Sequence, residues 1–344
     1  MVVCLNAFDE MISIPNLFRC WDQFKKGKGK SKEIQSFERH LEDHLFTLHD
    51  LLKAENYKHG IYRKFSVCDP KRREISKTSV QDRLVHHVVY SLLVNIFDAI
   101  FIEHSFSCRV GKGTHQGVDV LQKMIRKVSK NGIRDCFVLK MDIFRFFDHI
   151  NHSLLKTFIE RRVYDTRVLH LIFAIIDSFY HHIEGLTVFG IPLGNVTSQV
   201  FANIYLHELD LFVKHQLKSP YLRFCDDFIL ISSQEDELQY FKERIKKYVK
   251  DDLFLTVHPK KIELRKLNQG IDFLGYVVFL KHHLLRTKTK KRLKKRLKRA
   301  YAFFLNGDIT LNLMDQKLQS YLGILSHANE YILTTSFKNA YLAR

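Results

Sequence analysis

Two adjacent aspartates, Asp226 and Asp227, interrupt an otherwise apolar stretch from Tyr221 to Ile231. The flanking runs Tyr221-Leu222-Arg223-Phe224 and Phe228-Ile229-Leu230-Ile231 read as paired strands. The two acids would then occupy the tip of a β-hairpin, where Asn-Gly or Asp-Gly is the usual turn. Neighbouring carboxylates repel, so such a tip costs stability unless a cation lies against it. A third acid, Asp142, ends the apolar run Val138-Leu139-Lys140-Met141 and precedes Ile143-Phe144-Arg145-Phe146-Phe147. Three carboxylates at neighbouring strand ends suit hard, oxygen-seeking Mg²⁺. A pair of such ions can hold the attacking and leaving oxygens of an in-line phosphoryl transfer. The plain alternative is a solvated strand end and a solvated turn. Asp148 reads as a surface or capping residue.

These acids need a scaffold, and the pattern supplies one. Apolar spacing of three and four predicts an amphipathic helix over residues 34–54, preceded by the Gly/Lys-rich loop Lys25–Lys32. Long helices are predicted over 78–103 and 114–130, and a strand over 137–143. Helical stretches follow at 151–162 and 166–182, then a tight loop from Gly190 to Gly194 and a helix to about Leu217. The hairpin over 221–233 precedes a charged helix from Glu235 to Val249, and further strands are predicted at 253–257, 261–265 and 271–280. The last sixty or so residues read as helical. Strands scattered among unequal helices predict an α+β fold with an antiparallel sheet.

Length and charge narrow the class. A chain of 344 residues is long enough for two or three subdomains sharing cores. A formal net charge of +18 points to a polyanionic partner, with nucleic acid ahead of a membrane surface. Cys4, Cys20, Cys68, Cys108, Cys136 and Cys225 show no CxxC spacing, which argues against a zinc site or a disulfide framework and fits a reducing cytosol. The most apolar run, Val168 to Tyr180, is too short to span a bilayer. A soluble, cytoplasmic protein is expected. The pairs His86-His87, His181-His182 and His282-His283 lack metal-ligand spacing and read as structural or RNA-facing. Cys225 adjoins the acids, whose charge should keep its thiol protonated.

In order along the chain, the motifs resemble a reverse transcriptase, and within that family those of diversity-generating retroelements. The resemblance covers about Trp21 to about Asn329. It rests on Asp69-Pro70-Lys71-x-Arg73, Asp82-Arg83-Leu84-Val85-His86-His87, Gly111-Lys112-Gly113-Thr114-His115, the run Gly190 to Gln199, and Phe273-Leu274-Gly275-Tyr276. Ser198-Gln199 stands where retrons and group II introns usually have Ser-Pro, which favours the retroelement subgroup. Phe224-Cys225-Asp226-Asp227 departs from the usual Tyr-x-Asp-Asp by losing one hydroxyl while keeping the ring.

The resemblance implies a right-hand polymerase fold. Its parts would be a helical N-terminal extension (1–60), fingers (61–135 and 149–189), palm (136–148 and 190–280) and thumb (281–344). Asp142 and Asp226 would hold both of two Mg²⁺ ions, with Mn²⁺ as a substitute, assisted by Asp227 and the Ile143 carbonyl. Lys71 and Arg73 would grip the triphosphate of a dNTP, Arg through its planar fork and Lys as a point charge. A solvated basic turn is the alternative there, and Arg83 would meet either template or an acid. Phe147 would exclude a 2′-hydroxyl from beside the sugar, or else serve as ordinary core.

Gly190 to Gln199 would floor the nascent base pair, with Leu193 and Gly194 at the nucleotide and Ser198 and Gln199 near the template. Leu193 stands where many accurate enzymes of the family carry Gln, so loosened fidelity is implied. Lys260 or Lys261 would protonate departing pyrophosphate. Phe273, Leu274 and Gly275 would grip the primer. Lys281 to Arg299, with eleven Lys or Arg residues, would track an RNA–DNA duplex, with Leu293, Leu297, Tyr301 and Phe304 packing inward. The implied activity is RNA-directed DNA synthesis copying a template-repeat RNA into adenine-mutagenised cDNA, with an oligomeric basic accessory variability protein as partner. The alternatives are a retron-like or phage-defence reverse transcriptase, and a non-catalytic RNA-binding relative.

Overall fold

The computed structural model describes residues 7–68, 71–183, 186–188 and 190–342; Cys4, Asp69 and Pro70 lie outside the described residues. The chain opens with four helices, α1 (Ala7–Ile12), α2 (Ile14–Lys25), α3 (Lys32–Glu38) and α4 (Leu41–Lys53). The single helix predicted over 34–54 is therefore two, broken at Arg39 and His40. The break lets Phe37 lie between Trp21, 4.9 Å away centroid to centroid, and His44, at 4.4 Å.

A strap from Tyr57 to Tyr62 leads into the hairpin β1 (Arg63–Cys68) and β2 (Arg72–Lys77), whose outer residues are exposed. Helices α5 (Val80–Phe97) and α6 (Thr114–Val128) follow, shorter than predicted by a few residues at their C-terminal ends. Next come β3 (Phe137–Asp142), α7 (His152–Glu160) and α8 (Thr166–Asp177), the last capped by Asp165, whose side chain accepts from the Arg167 and Val168 amides. The helix predicted to 182 ends at Asp177, and β4 (His181–Ile183) pairs with β5 (Leu186–Val188). Helix α9 (Val196–Leu211) runs on through a π-helical stretch, Phe212–Leu217.

The hairpin β6 (Tyr221–Phe224) and β7 (Asp227–Ser232) falls where the apolar runs predict it, followed by α10 (Glu235–Asp251), β8 (Glu263–Lys266), β9 (Ile271–Phe273), β10 (Tyr276–Val278) and β11 (His283–Leu285). Residues 253–257 are not a strand: Phe254 has φ +52°, and only Val257 forms an isolated bridge, to Ile143. The predicted strand over 271–280 is a hairpin, because Leu274 and Gly275 both have positive φ (+50° and +92°) and close a two-residue turn of the I′ pattern. Helices α11 (Thr287–Leu305), α12 (Leu311–Leu325) and α13 (Tyr331–Leu342) complete the chain.

The centre is an antiparallel sheet in the order β6-β7-β3-β8. Side chains alternate across it, so the sheet feeds two cores. Leu139, Met141, Phe228 and Leu230 join the large core that includes α9 and α10. Val138, Leu222, Ile229 and Ile231 join a second core with α6, β9 and β10. On the second face β3 reads Val138, Lys140, Asp142: apolar cover stops, and the strand end turns polar. That is where the acids lie.

Candidate active site

Asp142 ends β3 directly opposite Asp227 at the start of β7. Facing residues of an antiparallel pair project to the same side with Cα atoms about 4.5–5.5 Å apart. Asp226 occupies the turn with Cys225, which alone of the two has positive φ (+57°), the pattern of a type II′ hairpin turn. The Asp226 carbonyl accepts from the Ile143 amide at 3.3 Å, stitching the turn to the end of β3. The Asp142 carbonyl accepts from His258 at 2.7 Å, and Phe144 donates to the Thr256 carbonyl at 2.7 Å. The predicted trio is thus gathered on one sheet end.

The electrostatics are those of crowded acids. Burial, and then the charge of Asp142, push the Asp226 carboxyl upward. Burial pushes Asp227 up to about 6; Lys140 opposes the shift, and Asp142 and Asp226 add to it. Two lysines answer the charge. Lys261 Nζ donates to both oxygens of Asp142 at 2.7 and 2.8 Å, and Lys140 Nζ lies 3.6 Å from Asp227. With the carboxylates turned to these ammonium groups, no three His, Cys, Asp or Glu side chains among the described residues converge as a ready ion cage. The donor set is nevertheless all oxygen, as Mg²⁺ requires, and Lys261 places a positive charge on Asp142, the most buried of the three acids. Cys225 is held protonated chiefly by burial, with Asp226 second, so burial outweighs the carboxylates expected to do this.

Sequence reading missed Arg223. It is fully buried in β6. Its guanidinium forks onto Asp210 of α9 (Nε and Nη2, both 2.7 Å), donates to Asn203 and Ser105, and reaches the Cys225 carbonyl at 3.0 Å. Tyr221 donates to the same Asp210 at 2.8 Å. A buried ion pair therefore clamps the acidic turn from behind. The available signal was an arginine inside an apolar strand run, a placement that demands a buried partner.

The remaining expectations divide. Phe147 is half-buried, its ring 5.3 Å from Phe146, and its carbonyl accepts from Ile191 at 2.8 Å, which ties the 190–194 loop to the turn after β3. Leu193 is half-buried and Gly194 exposed; a Cβ on Gly194, with φ +118°, would meet Ile75 at 2.7 Å. Gln199 is exposed, but Ser198 is buried and its hydroxyl donates to the Pro192 carbonyl at 2.6 Å. Ser198 thus braces the loop from within, because its one donor is spent there, and of the two only Gln199 is open to solvent.

Phe273 is likewise corrected: it is wholly buried core, while Leu274 and Gly275 form the accessible turn. Lys71 and Arg73 are exposed on the β1–β2 hairpin. Of the two lysine candidates, Lys261 reaches the acids and Lys260 is exposed, its amide donating to His258. Arg83 pairs with Glu33 at 2.8 Å, the acid alternative. Asp148 is half-buried in a 3₁₀ turn.

A right-hand polymerase fold, with paired acids facing each other on a helix-backed antiparallel sheet, defines the class. Residues 58–278 match the family described as Reverse transcriptase (RNA-dependent DNA polymerase), and the chain belongs to that family. It is 24% identical over 309 residues to the Group II intron-encoded protein LtrA of Lactococcus lactis subsp. cremoris, covering 70% of this chain and 49% of that one. It is 23% identical over 257 residues to Protein YkfC of Escherichia coli (strain K12), covering 64% and 65%. The chain spans about half the length of the LtrA relative.

Among solved structures, apo telomerase from Candida tropicalis, truncated from the C-terminal domain, aligns with TM-score 0.52 and 15% identity over 66% of this chain and 55% of that one. Telomerase from Candida albicans in complex with a fragment of telomeric RNA aligns with TM-score 0.51 and 12% identity over 83% and 58%. These likenesses support the fold alone. No helix among the described residues is long and apolar enough to cross a membrane.

Proposed function

We propose that this protein is an RNA-directed DNA polymerase that extends a primer on an RNA template from dNTPs. The observation that carries the reading is Asp142 facing Asp227 across the β3–β7 ladder, with Asp226 in the turn beside them. Asp142, Asp226 and Asp227, with the Ile143 carbonyl, would hold two Mg²⁺ ions, or Mn²⁺. Such ions lower the pKa of the primer 3′-hydroxyl and neutralise charge on the triphosphate. The chain's own residues do the rest. Lys71 and Arg73 draw the triphosphate in. Phe147, held by Ile191, crowds the sugar edge. Lys261, already within reach of the acids, is the donor placed to protonate departing pyrophosphate. The palm corresponds to residues 136–148 and 190–280, flanked by fingers (61–135 and 149–189), thumb (281–344) and the helical extension (1–60).

The finer reading is a diversity-generating retroelement enzyme, copying a template-repeat RNA into adenine-mutagenised cDNA with an oligomeric basic accessory protein. Ser198-Gln199 and the apolar Leu193 support it, since Leu193 offers no hydrogen bond beside the nascent pair. A retron-like or phage-defence enzyme is the competing reading.

Primer extension on a defined RNA, followed by cDNA sequencing, tests both levels. The wild-type chain is expected to need Mg²⁺ or Mn²⁺ and to misincorporate opposite template adenine. Asp226→Ala is expected to abolish synthesis while keeping RNA binding. Undiminished synthesis by Asp226→Ala would remove the site assignment, and faithful copying of adenine would remove the retroelement reading.

A further inference from the structure

The Asp82–His87 motif contacts none of the acids, yet its two most buried polar side chains form a network whose ends matter. Asp82 and His86 lie one turn apart on α5 and face the strap Tyr57–Tyr62. Asp82 accepts from the Tyr57 hydroxyl (2.8 Å), the Ser79 hydroxyl (2.8 Å) and the Gly60 amide (3.4 Å). His86 Nε2 lies 3.0 Å from His59 Nε2, and His86 Nδ1 lies 2.6 Å from the hydroxyl of Thr197, in the first turn of α9.

Proton accounting fixes the direction of these bonds. His59 Nδ1 lies 2.7 Å from the Gly60 carbonyl, which only accepts, so it carries the proton and His59 Nε2 accepts. His86 Nε2 then donates, His86 Nδ1 accepts, and the Thr197 hydroxyl donates. The chain of donors then runs one way from Thr197 to Gly60. Burial keeps the His86 ring neutral, lowering its pKa to about 3.

The other leg of the same hairpin reaches the same segment. The Ser76 amide of β2 donates to the Leu193 carbonyl at 2.9 Å, and the Asn195 side chain donates to the Ser76 carbonyl at 3.4 Å. The hairpin carrying Lys71 and Arg73 is thus hung at both roots from residues 193–197, the segment that leads to Gln199. Its strands extend about 17 Å from Lys77 to Arg72 at 3.4 Å per residue, so a tilt at the root is magnified at the tip.

We infer that His86 is a positioning residue: it bridges the strap that carries the β1–β2 hairpin to Thr197 at the head of α9, and so sets the triphosphate grip against the floor of the nascent pair. This rests on the polymerase reading above. An ordinary buried histidine would only hold the core together. Its loss would lower the active fraction, and with it the rate per total protein, but leave KM for dNTP where it was. A positioning histidine controls KM.

The test is steady-state primer extension by the full chain on a defined RNA template, with active sites titrated and folding checked by thermal melts. His86→Leu keeps the volume and removes both bonds. It is expected to raise KM for dNTP about tenfold, with kcat changed less than about twofold. His86→Gln can still reach His59 and is expected to recover at least half of that loss. Thr197→Val removes one hydroxyl at constant shape and is expected to raise KM about three- to fivefold. Because both substitutions break one bridge, the double variant should be no worse than His86→Leu alone. Should His86→Leu fail to fold, Thr197→Val alone decides. An unchanged KM in Thr197→Val, a defect confined to kcat, or additive effects in the double variant would overturn the inference while leaving the polymerase reading intact. A wild-type chain that extends no primer would take both readings down together.

Discussion

Lys261 grips Asp142 through both carboxylate oxygens, at 2.7 and 2.8 Å, from the loop that follows His258-Pro259. The ammonium takes the place that a divalent cation would contest. The pair is partly exposed at the lysine end, so the charge-assisted bond is worth only about 1 kcal/mol after screening. Lys261→Gln should therefore lower the half-saturating Mg²⁺ concentration for primer extension about fivefold. The maximal rate should fall as well, since the proton donor proposed for pyrophosphate is gone. A magnesium titration of the extension rate checks both, and a raised Mg²⁺ requirement would contradict the competition.

Arg223 and Asp210 form an ion pair with no solvent access on either side chain. Removing one partner of such a pair strands a buried charge, at a cost of about 3–5 kcal/mol. Arg223→Met should lose about that much stability in urea unfolding, and it also frees the Cys225 carbonyl that holds the acidic turn. Pairing it with Asp210→Leu should restore stability in part, because nothing charged is then left unpaired. If the two single losses simply add, the clamp is not a unit.

The central hairpin was legible in sequence because its strands, Arg223 apart, are apolar on both faces and its turn is acidic. The same logic exposes the failure at 253–257. Leu253, Leu255 and Val257 are buried and Phe254 is exposed, a clean alternation, yet no ladder forms. Alternation reports which side chains face the core; hydrogen bonding is a separate matter, and Phe254 at positive φ turns the backbone away. The break at Arg39 was hidden for a related reason, since α3 and α4 bury their apolar residues in one core and the spacing runs on across it. At the site, the acids were legible as residue types at strand ends. Arg223 was not, because its partner Asp210 lies on another element, and the lysine that reaches Asp142 could not be told from its neighbour until the loop was folded.

His86 and His87 supply a pH signature for stability. Burial lowers both folded-state values, to about 3 and about 4, from an ordinary value of 6.5. Above pH 6.5 the rings are neutral whether folded or unfolded, and pH has no leverage through them. Below it the unfolded chain takes up protons that the folded chain refuses, so stability falls as the pH drops toward 4. Each ring contributes a slope of up to about 1.4 kcal/mol per pH unit. Urea midpoints at pH 7, 6 and 5 should show the decline, and His86→Gln should flatten part of it. A midpoint that rises on acidification would mean these rings are charged in the fold.

Helix α11 makes the last prediction quantitative. Leu293 and Ala300 are buried, and Leu297, Tyr301 and Phe304 are half-buried, so one stripe packs toward α12. Lys291, Lys294 and Lys298 are exposed and follow one another at spacings of three and four along one flank of that stripe. If that side follows the phosphates of an RNA–DNA duplex, each lysine in contact releases about one counterion on binding. Replacing all three with Ala should weaken duplex binding at low salt and reduce the slope of log K against log salt by about 2–3. Because these lysines touch neither the acids nor the β1–β2 hairpin, the extension rate of duplex already bound should be unchanged. Fluorescence anisotropy across a salt series reads the slope directly. A uniform loss of affinity with an unaltered slope would mean that α11 contributes shape, and that the phosphates are met elsewhere.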